Sequence, residues 1–146
     1  MKNQQKIKRV HLSLNEKDES ILIGIVSADP DYKLSLTLNK KLGILLKNNS
    51  PVEPEHFTDS ELLFSRFTDM NRAPDIVISL VSNRSGKNFL LKKLKNIDYL
   101  LHLYDPENSW NTDQMITSLR EITTITAVFN INIKSVKDKN LRYLMY

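Results

Sequence analysis

The chain has 146 residues, 40% of them hydrophobic and 26% charged, which is the composition of one ordinary globular domain. It contains no cysteine, and this excludes a disulfide, a thiolate metal site and a cysteine nucleophile. The formal net charge of +4 is mildly basic. No apolar run is long enough to cross a membrane or to act as a signal peptide, so we expect a soluble cytoplasmic protein that does not enter a membrane.

The first third of the chain predicts one strand followed by two helices. Residues 8–14 alternate between apolar and polar side chains, which indicates a half-buried strand. Two acidic residues precede the apolar run 21–26, and acids of this kind favour a helix N-terminus. Asp29 as N-cap, Pro30 at the first helical position and Gly43 as C-terminal cap then predict a second helix between them.

The remainder of the chain predicts mainly strands. Their alternation and apolar content place them at 44–47, 62–67, 75–81, 97–104 and 124–131, with the first pair of long strands antiparallel, a polar loop at 48–60 and a turn at 82–87. Asn111, with Gln114 three residues later, predicts a capped helix, and the tail 136–146 predicts a last short helix. We therefore expect a single α+β domain over 1–146, with a mostly antiparallel or mixed sheet packed by about three helices, and the late strand–helix–strand unit as a parallel crossover.

Several segments carry a family resemblance: Leu22–Ser27, Asp31–Leu34, Leu38–Gly43, Phe89–Leu91 and Ile97–Leu101. They resemble a family of small bacterial proteins named for an IPExxVDY signature, over most of the chain. Ile97, Asp98 and Tyr99 match the second half of that signature, whereas Lys92 and Lys93 stand where it has proline and glutamate. The resemblance implies no established activity, but relatives are often encoded near a ribonuclease III gene.

A basic stretch without an acidic residue is the clearest charge feature of the sequence, and it comprises Arg84, Lys87, Lys92, Lys93 and Lys95. The stretch predicts one exposed face, which either keeps the protein in solution or contacts an anion or a nucleic acid. Lysine predominates over arginine there, and lysine acts as a point charge rather than a reader of bases. Any nucleic-acid binding is therefore expected to be weak and independent of sequence.

The residues that could carry chemistry are few and scattered. The three histidines, His11, His56 and His102, have no metal-ligand spacing, and we expect them to be structural and at least partly exposed. Asp98 stands at the start of a very apolar strand, where a hydrogen-bonded structural carboxylate is more common than a catalytic one. Trp110 either packs against the start of the following helix or anchors a protein partner.

These observations leave three hypotheses about function. The first is a small non-catalytic cytoplasmic binding or adaptor domain that binds an unidentified protein partner and uses no cofactor or metal. The second is an RNA- or nucleic-acid-associated protein that uses the basic stretch. The third is an enzyme that uses Asp98 or His56, although the sequence has no phosphate-binding loop and no nucleophile motif.

Overall fold

A six-stranded antiparallel sheet organises the computed structural model, which describes residues 20–54, 62–72 and 75–144. The elements in chain order are β1 (Ser20–Ser27), α1 (Asp31–Leu42), β2 (Lys47–Val52), β3 (Phe64–Arg72), β4 (Ile76–Ser82), β5 (Arg84–Ser85), β6 (Asn88–Phe89), β7 (Tyr99–Tyr104), α2 (Thr112–Arg120), β8 (Ile125–Ile131) and two 3₁₀ turns (Ile133–Ser135 and Lys139–Tyr143). The strand order in the sheet is β2-β3-β4-β7-β1-β8, and β5 with β6 forms a separate hairpin.

The predicted fold class is confirmed, but the number of helices is not. The domain is α+β, and the described residues form two α-helices instead of about three. The helix predicted over 21–26 is wrong, because this apolar run is strand β1, paired with β7 on one side and β8 on the other. A strand buried on both faces reads as a continuous apolar run, which periodicity alone cannot distinguish from a buried helix.

Two isoleucine side chains pack closely against Gly24 of β1. A Cβ atom added to Gly24 would lie 2.6 Å from Ile97 Cδ1 and 3.0 Å from Ile131 Cδ1. A residue with a Cβ atom at this position would therefore require the Ile97 side chain to shift.

The helix α1 ends as predicted but begins differently. Gly43 has φ +66°, and its N–H donates to the Asn39 carbonyl, which is a left-handed C-terminal cap. The prediction that Asp29 caps the helix is wrong, because Pro30 occupies the cap position, and the side-chain bond in the first turn comes from Asp31, whose Oδ1 accepts from Tyr32 N at 2.7 Å. The Asp29 carboxylate instead lies 3.7 Å from the Lys33 ammonium. By contrast, Asn111 caps α2 as expected, because its Oδ1 accepts from Gln114 N at 3.1 Å.

The other strand predictions differ mainly in their bounds. The strand predicted at 44–47 begins only at Lys47 and runs through the first part of the predicted loop 48–60, because β2 is an exposed polar edge strand without an apolar signal. Strands β3, β4, β7 and β8 correspond to the other four predicted strands, and β3 and β4 are antiparallel as expected. The predicted strand 8–14 and residues 55–61 lie outside the described residues.

The late strand–helix–strand unit is split by β1. Strands β7 and β8 both pair antiparallel with β1, so they run parallel to each other with β1 between them. The tail forms a 3₁₀ turn at Lys139–Tyr143 where a short helix was predicted.

Each face of the sheet carries its own layer. Helices α1 and α2 cover one face, where Leu34, Leu38 and Leu119 pack against the strands without exposed surface. Residues 84–97 and 133–144, which we call the cover layer, supply the apolar side chains on the opposite face. These are Leu90, Leu91, Leu94, Ile97, Ile133, Val136, Leu141, Tyr143 and Leu144, with Leu22, Val52, Leu62, Phe64, Val81 and Leu100 beneath or beside them. In the part of the chain that the structure describes, no helix is long and apolar enough to cross a membrane.

Candidate functional site

The basic stretch predicted from the sequence lies in the cover layer, and all five of its cations are exposed. Arg84 starts the β5–β6 hairpin, in which Arg84 pairs with Phe89 and Ser85 with Asn88. The predicted turn is therefore a two-residue hairpin turn, and Gly86 has φ +60°, a conformation that favours glycine. The other lysines follow on the hairpin turn and on the irregular segment between β6 and β7: Lys87, Lys92, Lys93 and Lys95.

The C-terminal segment brings four further cations to the same layer. These residues are Lys134, Lys137, Lys139 and Arg142, and all four are exposed. The cover layer thus contains nine basic residues and one acidic residue, Asp138. The Asp138 carboxylate is occupied by backbone donors, because it accepts from Lys92 N at 3.0 Å and from Asn140 N at 2.9 Å.

The two helices carry a different balance of charge. Residues 31–42 and 112–121 together contain four basic and three acidic residues. One of the lysines, Lys41, lies 3.5 Å from Glu121 of the other helix. Among the described residues, the excess positive charge is therefore greater on the cover-layer side of the sheet than on the helix side. The sequence did not predict that the C-terminal tail would join the central stretch.

Asn83 holds the cover layer in place. It is fully buried, and its side chain joins parts of one irregular segment: Oδ1 accepts from Leu91 N at 2.8 Å, and Nδ2 donates to the Leu94 and Ile97 carbonyls at 2.9 Å each. Its backbone also bonds to Asp98 and Leu90. The backbone N–H and carbonyl groups of this segment are not paired within a helix or a sheet. An asparagine side chain can satisfy them, because it carries both a donor and an acceptor.

Asn140 ties the C-terminal segment to the same loop. Its Nδ2 donates to the Leu90 carbonyl at 2.6 Å, and the residue is 1% exposed. Together with the Asp138 bond to Lys92, this contact joins the two parts of the cover layer. The exposed cations therefore extend from a backbone that buried hydrogen bonds hold in place, and not from free loops.

Asp98 occupies the structural position expected from the sequence. It directly precedes β7, and its carboxylate accepts from Arg84 Nε at 2.7 Å and from Ser27 N at 2.9 Å. The same carboxylate lines a cavity of about 370 Å³ together with Asp29, Arg84 and Tyr99. Asp98 is thus hydrogen-bonded as predicted and also borders a cavity beside another ionisable residue, which the purely structural interpretation did not anticipate.

The chemistry of this cavity is dominated by hydrogen-bond acceptors. Burial, followed by the nearby carboxylates of Asp31, Asp98 and Asp29, raises the pKa of Tyr99 to about 12. The Tyr99 hydroxyl therefore keeps its proton, which it donates to the Asp29 carbonyl at 2.6 Å. His56 lies outside the described residues, and no group of three or more acidic or histidine side chains with a metal-binding arrangement occurs among the residues described.

His102 differs from its prediction. It lies in β7, on the face that the cover layer protects, and is 1% exposed instead of at least partly exposed. Ser79 and Leu22 flank it on the neighbouring strands. Neither ring nitrogen has a hydrogen-bond partner among the residues that the structure describes, and burial lowers the pKa of His102 to about 4. A buried neutral histidine of this kind cannot act on a ligand in solution.

Trp110 is half-buried and belongs mainly to the helix layer. Its ring packs against the apolar core on that side, and the Arg72 guanidinium carbon lies 5.5 Å from the ring centroid. Its backbone N–H donates to Asp105 Oδ2 at 2.8 Å, just before α2. Trp110 also lines a groove of about 390 Å³ with Lys41 and Met115. The structure thus places the indole away from the basic surface.

Comparisons with protein-family models, with curated proteins and with solved structures found no match. The resemblance to the IPExxVDY family therefore stays a prediction, and the site rests on its own geometry.

Proposed function

We propose that the protein is a non-catalytic binding domain whose ligand is RNA or another nucleic acid, held on the cover layer. The observation that carries the proposal is the charge of this layer: nine exposed cations, of which Arg84 pairs with Asp98 at the edge of the layer, against one carboxylate within it that bonds to the backbone. A surface of one sign attracts a polyanion and raises its rate of association. Release of counterions from the phosphates then supplies most of the affinity.

The way in which the cations are mounted supports the same proposal. Asn83 and Asn140 fix the backbone that carries them, so little conformational entropy is lost when a ligand binds. Seven of the nine cations are lysines, which neutralise phosphates without reading bases. We therefore expect binding that is strongly dependent on salt and largely independent of sequence.

The test compares two triple variants of equal charge change. In the first, Lys92, Lys93 and Lys95 of the cover layer become glutamine; in the control, Lys33, Lys40 and Lys41 of α1 become glutamine. Fluorescence anisotropy with a short labelled RNA, titrated over a range of salt, measures the affinity and its dependence on salt. The first variant should weaken binding and lower the salt slope by about 2, since each phosphate on a single strand contributes about 0.7.

The control variant should bind within about twofold of the wild type at about 0.1 M salt, because attraction over more than about 10 Å is largely screened there. Equal losses in both variants would show that only the net charge of the protein matters. Absence of binding by the wild-type protein at low salt would overturn the proposal.

A protein partner is the second candidate, and one observation favours it. Tyr32 and Leu36 stand one turn apart on α1 and expose 63% and 65% of their surface. Large apolar side chains grouped in this way are typical of contact surfaces. A Tyr32→Ser, Leu36→Ser double variant should then lose a partner captured from cell extract after nuclease treatment, whereas the lysine variant of the cover layer should retain it.

A further inference from the structure

We infer that the ligand of the cover layer is single-stranded, and that one of its bases stacks on the guanidinium plane of Arg84. This inference rests on the proposed function and specifies the form of the nucleic acid. It concerns the place where the cover layer meets the cavity between the ends of β1, β4 and β7.

The first step is the orientation of Arg84, which is fixed on several sides. Its Nε donates to Asp98 Oδ1 at 2.7 Å, and its Nη2 lies 3.4 Å from the Lys95 carbonyl oxygen. Its guanidinium carbon lies 5.0 Å from the centroid of the Phe89 ring. Half of the Arg84 side chain is nevertheless exposed. A guanidinium held in this way loses little rotamer freedom on binding and offers a planar surface on which a base can stack.

The second step is the cavity beside this plane. Arg84 lines a space of about 370 Å³, whose other walls include Pro30 and Tyr99. Asp29 and Asp98 also border it. Carboxylates repel a phosphate but accept hydrogen bonds from the amino groups of bases. The arrangement therefore directs the phosphates towards the lysines and a base towards the cavity.

The third step concerns the form of the nucleic acid. The bases of a duplex are stacked on one another, so none can lie on Arg84 unless it is unpaired. The surface thus suits an exposed, flexible single strand.

Arg84→Lys is the variant that separates stacking from charge, because lysine keeps the cation beside Asp98 and loses the plane. Lys93→Gln is its control, since it removes a charge from the same layer and leaves Arg84 intact. Anisotropy titrations of each protein use a single-stranded RNA and a duplex with the same number of phosphates. Arg84→Lys should weaken single-strand binding about tenfold and duplex binding less than about twofold. Lys93→Gln should weaken both to the same extent.

The outcomes distinguish the inference from the proposed function. Binding of both ligands with equal affinity, with Arg84→Lys equal to the wild type, would overturn the inference and leave the proposed function in place. Tighter binding of the duplex would do the same. Absence of binding to either ligand would overturn the proposed function itself. If circular dichroism shows that Arg84→Lys is unfolded, Phe89→Leu decides: it keeps every charge, and it should also weaken single-strand binding selectively.

Discussion

Acid should destabilise the folded protein through His102 before most carboxylates are protonated. The ring is buried between the sheet and the cover layer, and within the described part of the chain neither nitrogen has a hydrogen-bond partner. In the unfolded chain the imidazole has its ordinary pKa of 6.5, whereas burial lowers the pKa of the folded state to about 4. Between these values the unfolded chain binds more protons, so the stability rises with pH. The contribution is complete above pH 6.5 and is lost as the pH falls towards 4.

The size of the effect follows from this pKa difference. One pKa unit corresponds to about 1.4 kcal/mol, so complete protonation costs the folded state about 3 kcal/mol. The larger part, about 2 kcal/mol, should already be lost between neutrality and about pH 5. That interval is the informative one, because the ordinary pKa values of the carboxyl groups lie lower.

Urea denaturation at a series of pH values measures this loss as a fall in the free energy of unfolding. His102→Leu should give a nearly flat profile in the same interval, because leucine fills a similar apolar space without a proton. A control in which His11 and His56 are both glutamine should keep the slope of the wild type. A wild-type profile that is flat between neutrality and about pH 5, or a slope that persists in His102→Leu, would refute the reasoning.

Three further tests concern the buried hydrogen bonds of Asn83, the helix caps and the packing around Gly24. Asn83→Leu should lower the free energy of unfolding, measured in urea, by at least about 3 kcal/mol, because it leaves the backbone groups of Leu91, Leu94 and Ile97 without partners. A loss below about 1 kcal/mol would contradict this role. Asn111→Ala should lower the free energy of unfolding by about 1 kcal/mol and Asp29→Ala by less than about 0.5 kcal/mol, because only the Asn111 side chain caps its helix. Equal losses would contradict the assignment of the caps. Gly24→Ala should cost about 1–3 kcal/mol, and Ile97→Val in the same protein should recover part of it; no recovery would place the strain elsewhere.

The sequence predicts the fold best where local chemistry decides the outcome. Gly43 marks the end of α1 because its φ of +66° favours glycine, and Asn111 marks the start of α2 because its side chain bonds within the same turn. The prediction fails for β1, whose place between β7 and β8 is determined by partners about 80 and 100 residues away. It also fails for β2, because an exposed edge strand has no apolar pattern.

The candidate site is predictable only in part, because some of its residues are brought together by contacts between distant parts of the chain. The stretch from Arg84 to Lys95 is visible because its cations are consecutive, and the structure places all five on one exposed layer. The contribution of the tail is not visible, since it depends on contacts such as the bond from Asn140 to Leu90, 50 residues apart in the chain. Nor does any local pattern distinguish Asn83 from an ordinary turn residue, although its side chain organises the segment.

The two layers on the sheet differ in what stabilises them. The helix layer is stabilised by apolar packing of α1 and α2, and its charges nearly balance. The cover layer has few regular elements, so its backbone depends on buried side-chain amides. Nine like charges on such a layer repel one another, which destabilises it in the absence of a ligand. A polyanion would remove this repulsion, and thermal stability at low salt should therefore rise when an oligonucleotide is added. The same rise should be smaller in the Lys92, Lys93 and Lys95 variant, because part of the repulsion is already absent from it.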